Sequence, residues 1–345
     1  MRAMYLALAL AALGMTVQDA DAQATRDQNW ARCASNDASY DLQIGGCTAI
    51  IQSGQEDTQN LVIAFGNRGI SYRNRGDYAA ALADFNQALS LNPNDADSLI
   101  NRGATYRRMG DYDRGLADYQ EALRINPSHS DAWNSLGTLY LNREDYQRAI
   151  TNYNEAIRLN ARRADYWTNR GIAYRNMRDY THALADFAQS LAVNPNYANA
   201  YYGRAVAYEE MRDWSHASAD YDQADRVGPN DPDTLNGRCW TRAAAGADLD
   251  VARTACDRSL ALRPNDASTL DSRGMVGLKQ QRWQDAWADY DAAVRAAPNY
   301  ASARYGRGIA AIRQGRTTEG QADLAAATAM SANIANSYAQ NGVTP

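Results

Sequence analysis

Apolar and small residues recur along this chain at helical spacing, and the pattern itself repeats every 34 residues. In one segment Phe65, Gly69 and Tyr72 fall on a single helix face at positions i, i+4 and i+7. A second amphipathic segment follows with Ala81 and Phe85, after a Gly-Asp turn, and an Asn-Pro step ends it. Each unit therefore predicts two helices. Neighbouring units must stack, because a lone pair would leave its apolar face in water.

Two phases of the repeat carry distinctive residues. A glycine recurs in the first helix, where the missing side chain lets the paired helix approach closely, and an aromatic residue of the second helix fills the space beside it. The glycine phase holds Gly69, Gly103, Gly137, Gly171, Gly274 and Gly308. The aromatic phase holds Phe85, Tyr119, Tyr153, Phe187, Tyr221 and Tyr290.

This pattern resembles the tetratricopeptide repeat. The family spacing W-x2-L-G-x2-Y … A-x3-F-x2-A is matched by Trp133, Leu136, Gly137, Tyr140, Ala149, Tyr153 and Ala156, although Ala161 stands where the family has proline. The resemblance implies an all-α fold, a right-handed superhelical solenoid of antiparallel helix pairs with about eight repeats. We place this array at residues 61–332, with a capping helix and tail at residues 333–345.

The residues before the array predict two further segments. Residues 1–24 contain Arg2, an apolar run and two A-x-A cleavage sites, which together indicate a cleaved secretory signal peptide. No cysteine lies at the cut, so no lipid anchor is expected, and no later stretch is apolar enough to insert into a membrane. We therefore expect a periplasmic or secreted protein. Residues 25–60 predict an N-terminal helical hairpin that contains two cysteines.

The four cysteines predict two disulfides. Cys239 occupies the glycine phase and Cys256 the aromatic phase of one unit, and these phases face each other across the helix pair. Disulfides persist in exported proteins, which favours a bond between them. By the same reasoning Cys33 pairs with Cys47. Separate buried thiols remain the alternative, whereas a zinc or redox site is disfavoured because the chain has no C-x-x-C pair.

Charge and motifs argue against catalysis and nucleic-acid binding. The formal net charge is −5, so no global basic field attracts nucleic acid. No catalytic or phosphate-loop motif appears, so we expect no enzyme activity, no cofactor and no metal. The aspartates Asp77, Asp111, Asp145, Asp179 and Asp213 share one turn phase, which predicts N-caps of the second helices.

The family resemblance implies that ligands bind on the concave surface of the first helices. The phases around the glycine hold amides, which can follow a peptide backbone, and guanidinium groups, which can pair with carboxylates. The alternative is that these side chains only solvate the helix surface. The predicted groove residues are Asn67, Arg73, Asn101, Arg107, Arg108, Asn169, Arg175 and Trp240.

The function expected from these features is that of an exported, non-catalytic scaffold of the Gram-negative envelope type. It would bind a protein or peptide in its concave groove, in envelope assembly or secretion. The alternative is a carbohydrate-binding accessory protein in polysaccharide export or cell-wall synthesis. That alternative needs exposed aromatic rings on the groove, for which the candidates are Trp240, Tyr202 and Tyr305. The sequence leaves the partner and the oligomeric state open.

Overall fold

Helices are the only regular elements in the residues that the computed structural model describes, which are 17–35 and 38–345. Residues 1–16, the greater part of the predicted signal peptide, lie outside the described residues. Within the described ranges, none of the helices combines the length and the apolar character that a membrane span requires.

The described residues form nineteen helices. The first nine are α1 Val17–Cys33, α2 Tyr40–Ser53, α3 Thr58–Arg75, α4 Tyr78–Leu91, α5 Ala96–Arg108, α6 Tyr112–Ile125, α7 Ser130–Asn142, α8 Tyr146–Leu159 and α9 Ala164–Asn176. The others are α10 Tyr180–Val193, α11 Ala198–Glu210, α12 Trp214–Val227, α13 Pro232–Ala245, α14 Leu249–Leu262, α15 Ala267–Lys279, α16 Trp283–Ala296, α17 Ala301–Arg313, α18 Thr317–Met330 and α19 Ile334–Gln340. The pairs from α3–α4 to α17–α18 confirm the predicted array of about eight repeats.

The helices divide between two compact units, Met1–Ala161 with α1 to α8 and Arg162–Pro345 with α9 to α19. We call them unit 1 and unit 2 and describe each by itself. In both units the first helix of a full repeat contacts the first helix of the next repeat. Second helices of the described residues make no such contact with each other. The first helices therefore form the inner wall of each unit, and the second helices lie outside.

The turn between the two helices of a repeat is capped as predicted. Asp77 accepts a hydrogen bond from the backbone N–H of Ala80 at 3.2 Å, which satisfies a helix N–H that has no partner within the helix. The other four aspartates of this phase make the same cap. The cap fixes where these five second helices begin and so sets the register of their aromatic residues.

The glycine and aromatic phases meet as the sequence predicts. A Cβ atom on Gly69 would lie 2.8 Å from Cε1 of Phe85, so any larger residue would displace the ring. A second row of glycines covers the other side of some rings. In that row, a Cβ atom on Gly237 would lie 2.3 Å from Cζ of Tyr221. Phe187 and Tyr290 are each enclosed between glycines of two successive first helices.

A buried ion pair that the sequence reasoning missed joins the two helices of six repeats. Arg68 donates from Nε and Nη2 to the two carboxylate oxygens of Asp84, both at 2.8 Å. The same bidentate geometry occurs in the pairs Arg102–Asp118, Arg170–Asp186, Arg204–Asp220, Arg273–Asp289 and Arg307–Asp323. Much of the arginine content is therefore structural, because a paired guanidinium in this position crosslinks the repeat.

Both predicted disulfides are present in the structure. Cys33–Cys47 joins α1 to α2, and Cys239–Cys256 joins α13 to α14. The second bond lies in a repeat without the internal ion pair. There Arg238 instead donates to Asp222 and Asp225 of the preceding repeat, both at 2.7 Å. The covalent bond thus holds together a helix pair that lacks the usual aromatic ring and the usual salt bridge.

Candidate functional site

The eight predicted groove residues fall into separate places. Arg73, Asn101, Arg107 and Arg108 lie together on unit 1, Asn67 lies beside the N-terminal hairpin, and Asn169, Arg175 and Trp240 lie on unit 2. Only the first group forms a cluster, which we call the arginine site. Asn67 does not join it, since its Nδ2 atom is 3.9 Å from Sγ of Cys33 in the hairpin disulfide.

Arg73 and Arg107 form the centre of the arginine site. Nη1 of Arg73 donates to Oδ1 of Asn101 at 3.0 Å and to its backbone carbonyl at 3.3 Å. Nη1 of Arg107 lies 3.1 Å from the amide of Asn142, whose oxygen accepts from it. The Nε atoms of both arginines are buried and make no hydrogen bond within the described residues. Neutral groups thus hold these guanidiniums in place while leaving donors unused.

The arginine site concentrates positive charge without a counterion. In the described part of the chain, Arg73, Arg107 and Arg108 have no carboxylate within ion-pair distance. Burial and the neighbouring Arg108 and Arg107 charges lower the pKa of Arg73 to about 10. The pKa of Tyr119, at the base of the cluster, is raised by burial, although the nearby Arg107 and Arg73 charges oppose this. The site therefore has unused capacity for an anion.

The repeat phase that holds Arg73 and Arg107 in unit 1 changes from a positive to a negative residue in unit 2. Nε of Arg175 lies 3.7 Å from Oε1 of Glu210, so its charge is partly balanced. One repeat further on, this phase is Glu209, a carboxylate of the inner wall whose pKa is raised chiefly by burial. Asn169 lies partly buried on α9 and takes part in other contacts. The predicted row of arginines and amides thus ends here.

A cavity of about 460 Å³ opens on the inner wall of unit 2. First helices α11, α13, α15 and α17 supply one side of it, and α19 supplies the other. Trp240 lines this cavity, as do Glu209, Asn236 and Asp271. We call it the unit 2 cavity. The sequence reasoning missed Asp271. It lies three positions before the glycine of its repeat and is the only carboxylate in that phase, where the other repeats have Gly, Ile, Asn, Thr or Tyr.

Helix α19 lies against the inner wall instead of extending the array. Tyr338 is 2% exposed, its ring centroid lies 4.9 Å from that of Tyr305, and its hydroxyl donates to the Ser302 carbonyl at 2.9 Å. Arg212 donates to Oε1 of Gln340 at 2.6 Å, which ties the end of α19 to the α11–α12 turn. The predicted capping segment is therefore one wall of the cavity.

The aromatic candidates for sugar binding do not form an exposed platform. Tyr305 is 5% exposed because Tyr338 covers it. Tyr202 is half-buried and packs edge-on against Tyr221, with ring centroids 5.8 Å apart. Trp240 remains as a wall of the unit 2 cavity. A metal site is equally unsupported, since the part of the chain that the structure describes has no group of three His, Cys, Asp or Glu side chains placed to hold one.

Comparisons with known proteins support one family. Models described as tetratricopeptide repeat match residues 100–166 and 272–333 in one case and residues 62–95 and 164–197 in the other, together more than half of the chain. The structure of PilF from Pseudomonas aeruginosa is similar, with 20% identity over 62% of this chain and 97% of that chain, and a TM-score of 0.53. A tetratricopeptide repeat protein from Parabacteroides merdae has 18% identity over 76% of this chain and 99% of that chain, with a TM-score of 0.52. These likenesses show the fold alone, and no curated protein matches the sequence.

Proposed function

Because the chain belongs to the tetratricopeptide repeat family, we propose that it is an exported, non-catalytic scaffold that binds an acidic peptide segment of a protein partner at the arginine site. Tetratricopeptide repeat proteins are generally scaffolds that bind proteins or peptides. The observation that carries the proposal is the pair Arg73 and Arg107, whose Nε atoms are buried on the inner wall and whose guanidiniums have no carboxylate partner among the described residues.

Energetics favour an anionic ligand at this site. A buried charge without a counterion is costly, and the chain avoids that cost elsewhere by pairing a partly buried arginine with a buried aspartate, as in Arg102–Asp118. A carboxylate of a partner would supply the missing counterion and accept hydrogen bonds from the accessible N–H groups of the guanidiniums. Asn101 has a positioning role, since its Oδ1 accepts from Arg73 and its Nδ2 donates to the Asp97 carbonyl at 2.9 Å.

An extracytoplasmic location is part of the proposal. Residues 1–24 have the composition of a signal peptide, and two disulfides suit an oxidising compartment. The proposed scaffold would act in envelope assembly or secretion. Fusing residues 1–30 to a reporter enzyme that is active only outside the cytoplasm tests the location, and a cytoplasmic reporter would refute it.

Fluorescence anisotropy with matched peptides tests the arginine site. We expect a labelled octapeptide of alternating Glu and Ala to bind, and the Gln counterpart to bind about tenfold more weakly or not at all. Arg73→Gln and Arg107→Gln should each weaken binding of the Glu peptide by about tenfold, because each removes a donor pair. Arg124→Gln is the matched control, since Arg124 pairs with Glu121 on the exposed surface of α6.

The proposal fails if the Glu and Gln peptides bind alike, or if Arg124→Gln reduces binding as much as Arg107→Gln does. Circular dichroism of each variant separates loss of binding from loss of fold. Raising the salt concentration should weaken binding of the Glu peptide and leave any binding of the Gln peptide unchanged, because only the former depends on charge.

A further inference from the structure

The unit 2 cavity carries a second site that does not depend on the arginine site. Its inner side is formed by first helices of successive repeats, and α19 closes the opposite side through Tyr338 and the Arg212–Gln340 contact. At about 460 Å³ it falls within the range of small-molecule sites, roughly 300–1,000 Å³. It is large enough for a group the size of an amino-acid side chain or a small amine.

Two carboxylates line this cavity without an ion pair, although the charge of Arg175 acts on Glu209 from a longer distance. Asp271 is 5% exposed and accepts hydrogen bonds only from neutral hydroxyls, from Ser302 at 3.0 Å and from Tyr300 at 3.3 Å. Glu209 accepts from the Tyr221 hydroxyl at 2.8 Å. Neither carboxylate has an arginine, lysine or histidine within ion-pair distance in the described ranges of the chain. Buried carboxylates are normally paired, so the cavity has an unmet negative charge.

Hydrogen-bond acceptors are also in excess. Oδ1 of Asn236 is buried in the described structure and has no donor. Arg212 is the cation of the lining, but its guanidinium is engaged by Gln340 and Asn341 and lies 5.3 Å from the ring centroid of Trp214. A ligand that suits the cavity must therefore bring donors and positive charge.

The aromatic lining fits the same ligand. Trp240 lines the cavity, and the face of an indole attracts a cation through its quadrupole, whereas the ring of Trp214 already contacts Arg212. Hence we propose that the unit 2 cavity binds an organic cation that donates N–H groups, an alkyl ammonium or guanidinium, between Asp271 and Glu209. Two sources have this chemistry, a free amine and a basic side chain of a bound peptide.

Calorimetric titration with defined probes tests the proposal. The probes are agmatine and cadaverine as free cations, capped Ala-Lys-Ala as the peptide source, and 1,5-pentanediol and capped Ala-Gln-Ala as neutral counterparts. Titrations at pH 8 keep Asp271 ionised, since burial raises its pKa to about 7. Asp271→Asn and Glu209→Gln should each weaken cation binding by about tenfold or more, because each removes one counterion. Asp248→Asn, an exposed change of the same charge in unit 2, should have no effect.

The outcomes separate the sources and the alternatives. Binding of agmatine or cadaverine without binding of Ala-Lys-Ala supports a small-molecule ligand, and the reverse supports a peptide side chain. Equal binding of the neutral probes, no binding of any cation, or full binding by both folded variants overturns the proposal. Glu209→Gln keeps the test decisive if Asp271→Asn fails to fold. Loss of cation binding leaves the proposed acidic-peptide site untouched, because that site lies in unit 1.

Discussion

The inner walls of the two units use the same repeat phase for opposite charges. In unit 1 this phase supplies Arg73 and Arg107, whereas in unit 2 it supplies Glu209 one repeat after Arg175. Each wall thus holds a charge that has no partner within ion-pair distance in the described structure. Between the two helices of a repeat, by contrast, arginine and aspartate are paired in bidentate geometry.

This difference separates charges that build the fold from charges that are available to ligands. A paired charge between helices is satisfied within the repeat and stabilises it only while both partners are present. An unpaired charge on the inner wall lowers stability and is therefore expected where a ligand binds. The two walls should consequently respond oppositely to acidic and basic ligands, and loss of a structural charge should cost far more stability than loss of an inner-wall charge.

The largest expected effect compares two arginines of unit 1 changed in the same way. Arg102→Met leaves Asp118, 6% exposed, without its partner and should lower the free energy of unfolding by about 3–5 kcal/mol. Arg73→Met removes an unpaired buried charge, so the free energy of unfolding should stay equal or rise. Urea denaturation followed by circular dichroism measures both. The double variant Arg102→Met/Asp118→Leu should recover most of the loss, and equal losses for the two single variants would contradict the distinction.

The next largest effect concerns the disulfide that joins α14 to α13, a helix that lines the unit 2 cavity. Cys239→Ala/Cys256→Ala should lower the free energy of unfolding by about 3 kcal/mol, because the bond closes a loop with a sequence separation of 17. Hydrogen exchange should increase in α13 and α14. Agmatine binding should weaken, since Asn236 and Trp240 lie on α13.

The matched control is Cys33→Ala/Cys47→Ala, which opens a loop of separation 14 in unit 1. It should cost a similar free energy and leave agmatine binding unchanged. If both double variants affect agmatine binding alike, the cavity is not coupled to its own disulfide.

The sequence was sufficient for features that depend on local periodicity. The helix pairs, the caps such as that of Asp77 and the Cys239–Cys256 bond all follow from residues that share a phase within one repeat. The Arg–Asp pairs were equally visible at a constant spacing of 16 and were missed because only the arginines of other phases, such as Arg73 and Arg107, were considered. The Arg212–Gln340 contact was beyond such reasoning, since it joins residues 128 apart and depends on where α19 packs.

The smallest predicted effect tests the charge of the unit 2 wall directly. Burial raises the pKa of Asp271 to about 7, above the value near 4 of an unfolded chain. The folded state therefore binds more protons in this interval, and the free energy of unfolding falls as pH rises through it. The stability of Asp271→Asn relative to the unchanged protein should accordingly increase by about 1 kcal/mol between pH 6 and pH 8. The comparison is made with the variant because burial also raises the pKa of Glu209.

Thermal unfolding at the two pH values measures this increase, with Asp248→Asn as the control that should show none. Saturating agmatine should abolish the increase, because a bound cation favours the ionised carboxylate and returns its pKa towards the ordinary value. A persistent increase with agmatine bound would place the cation away from Asp271. No increase without agmatine would mean that the Asp271 carboxylate is solvated, so the contrast with the arginine site of unit 1 would then rest on Glu209 alone.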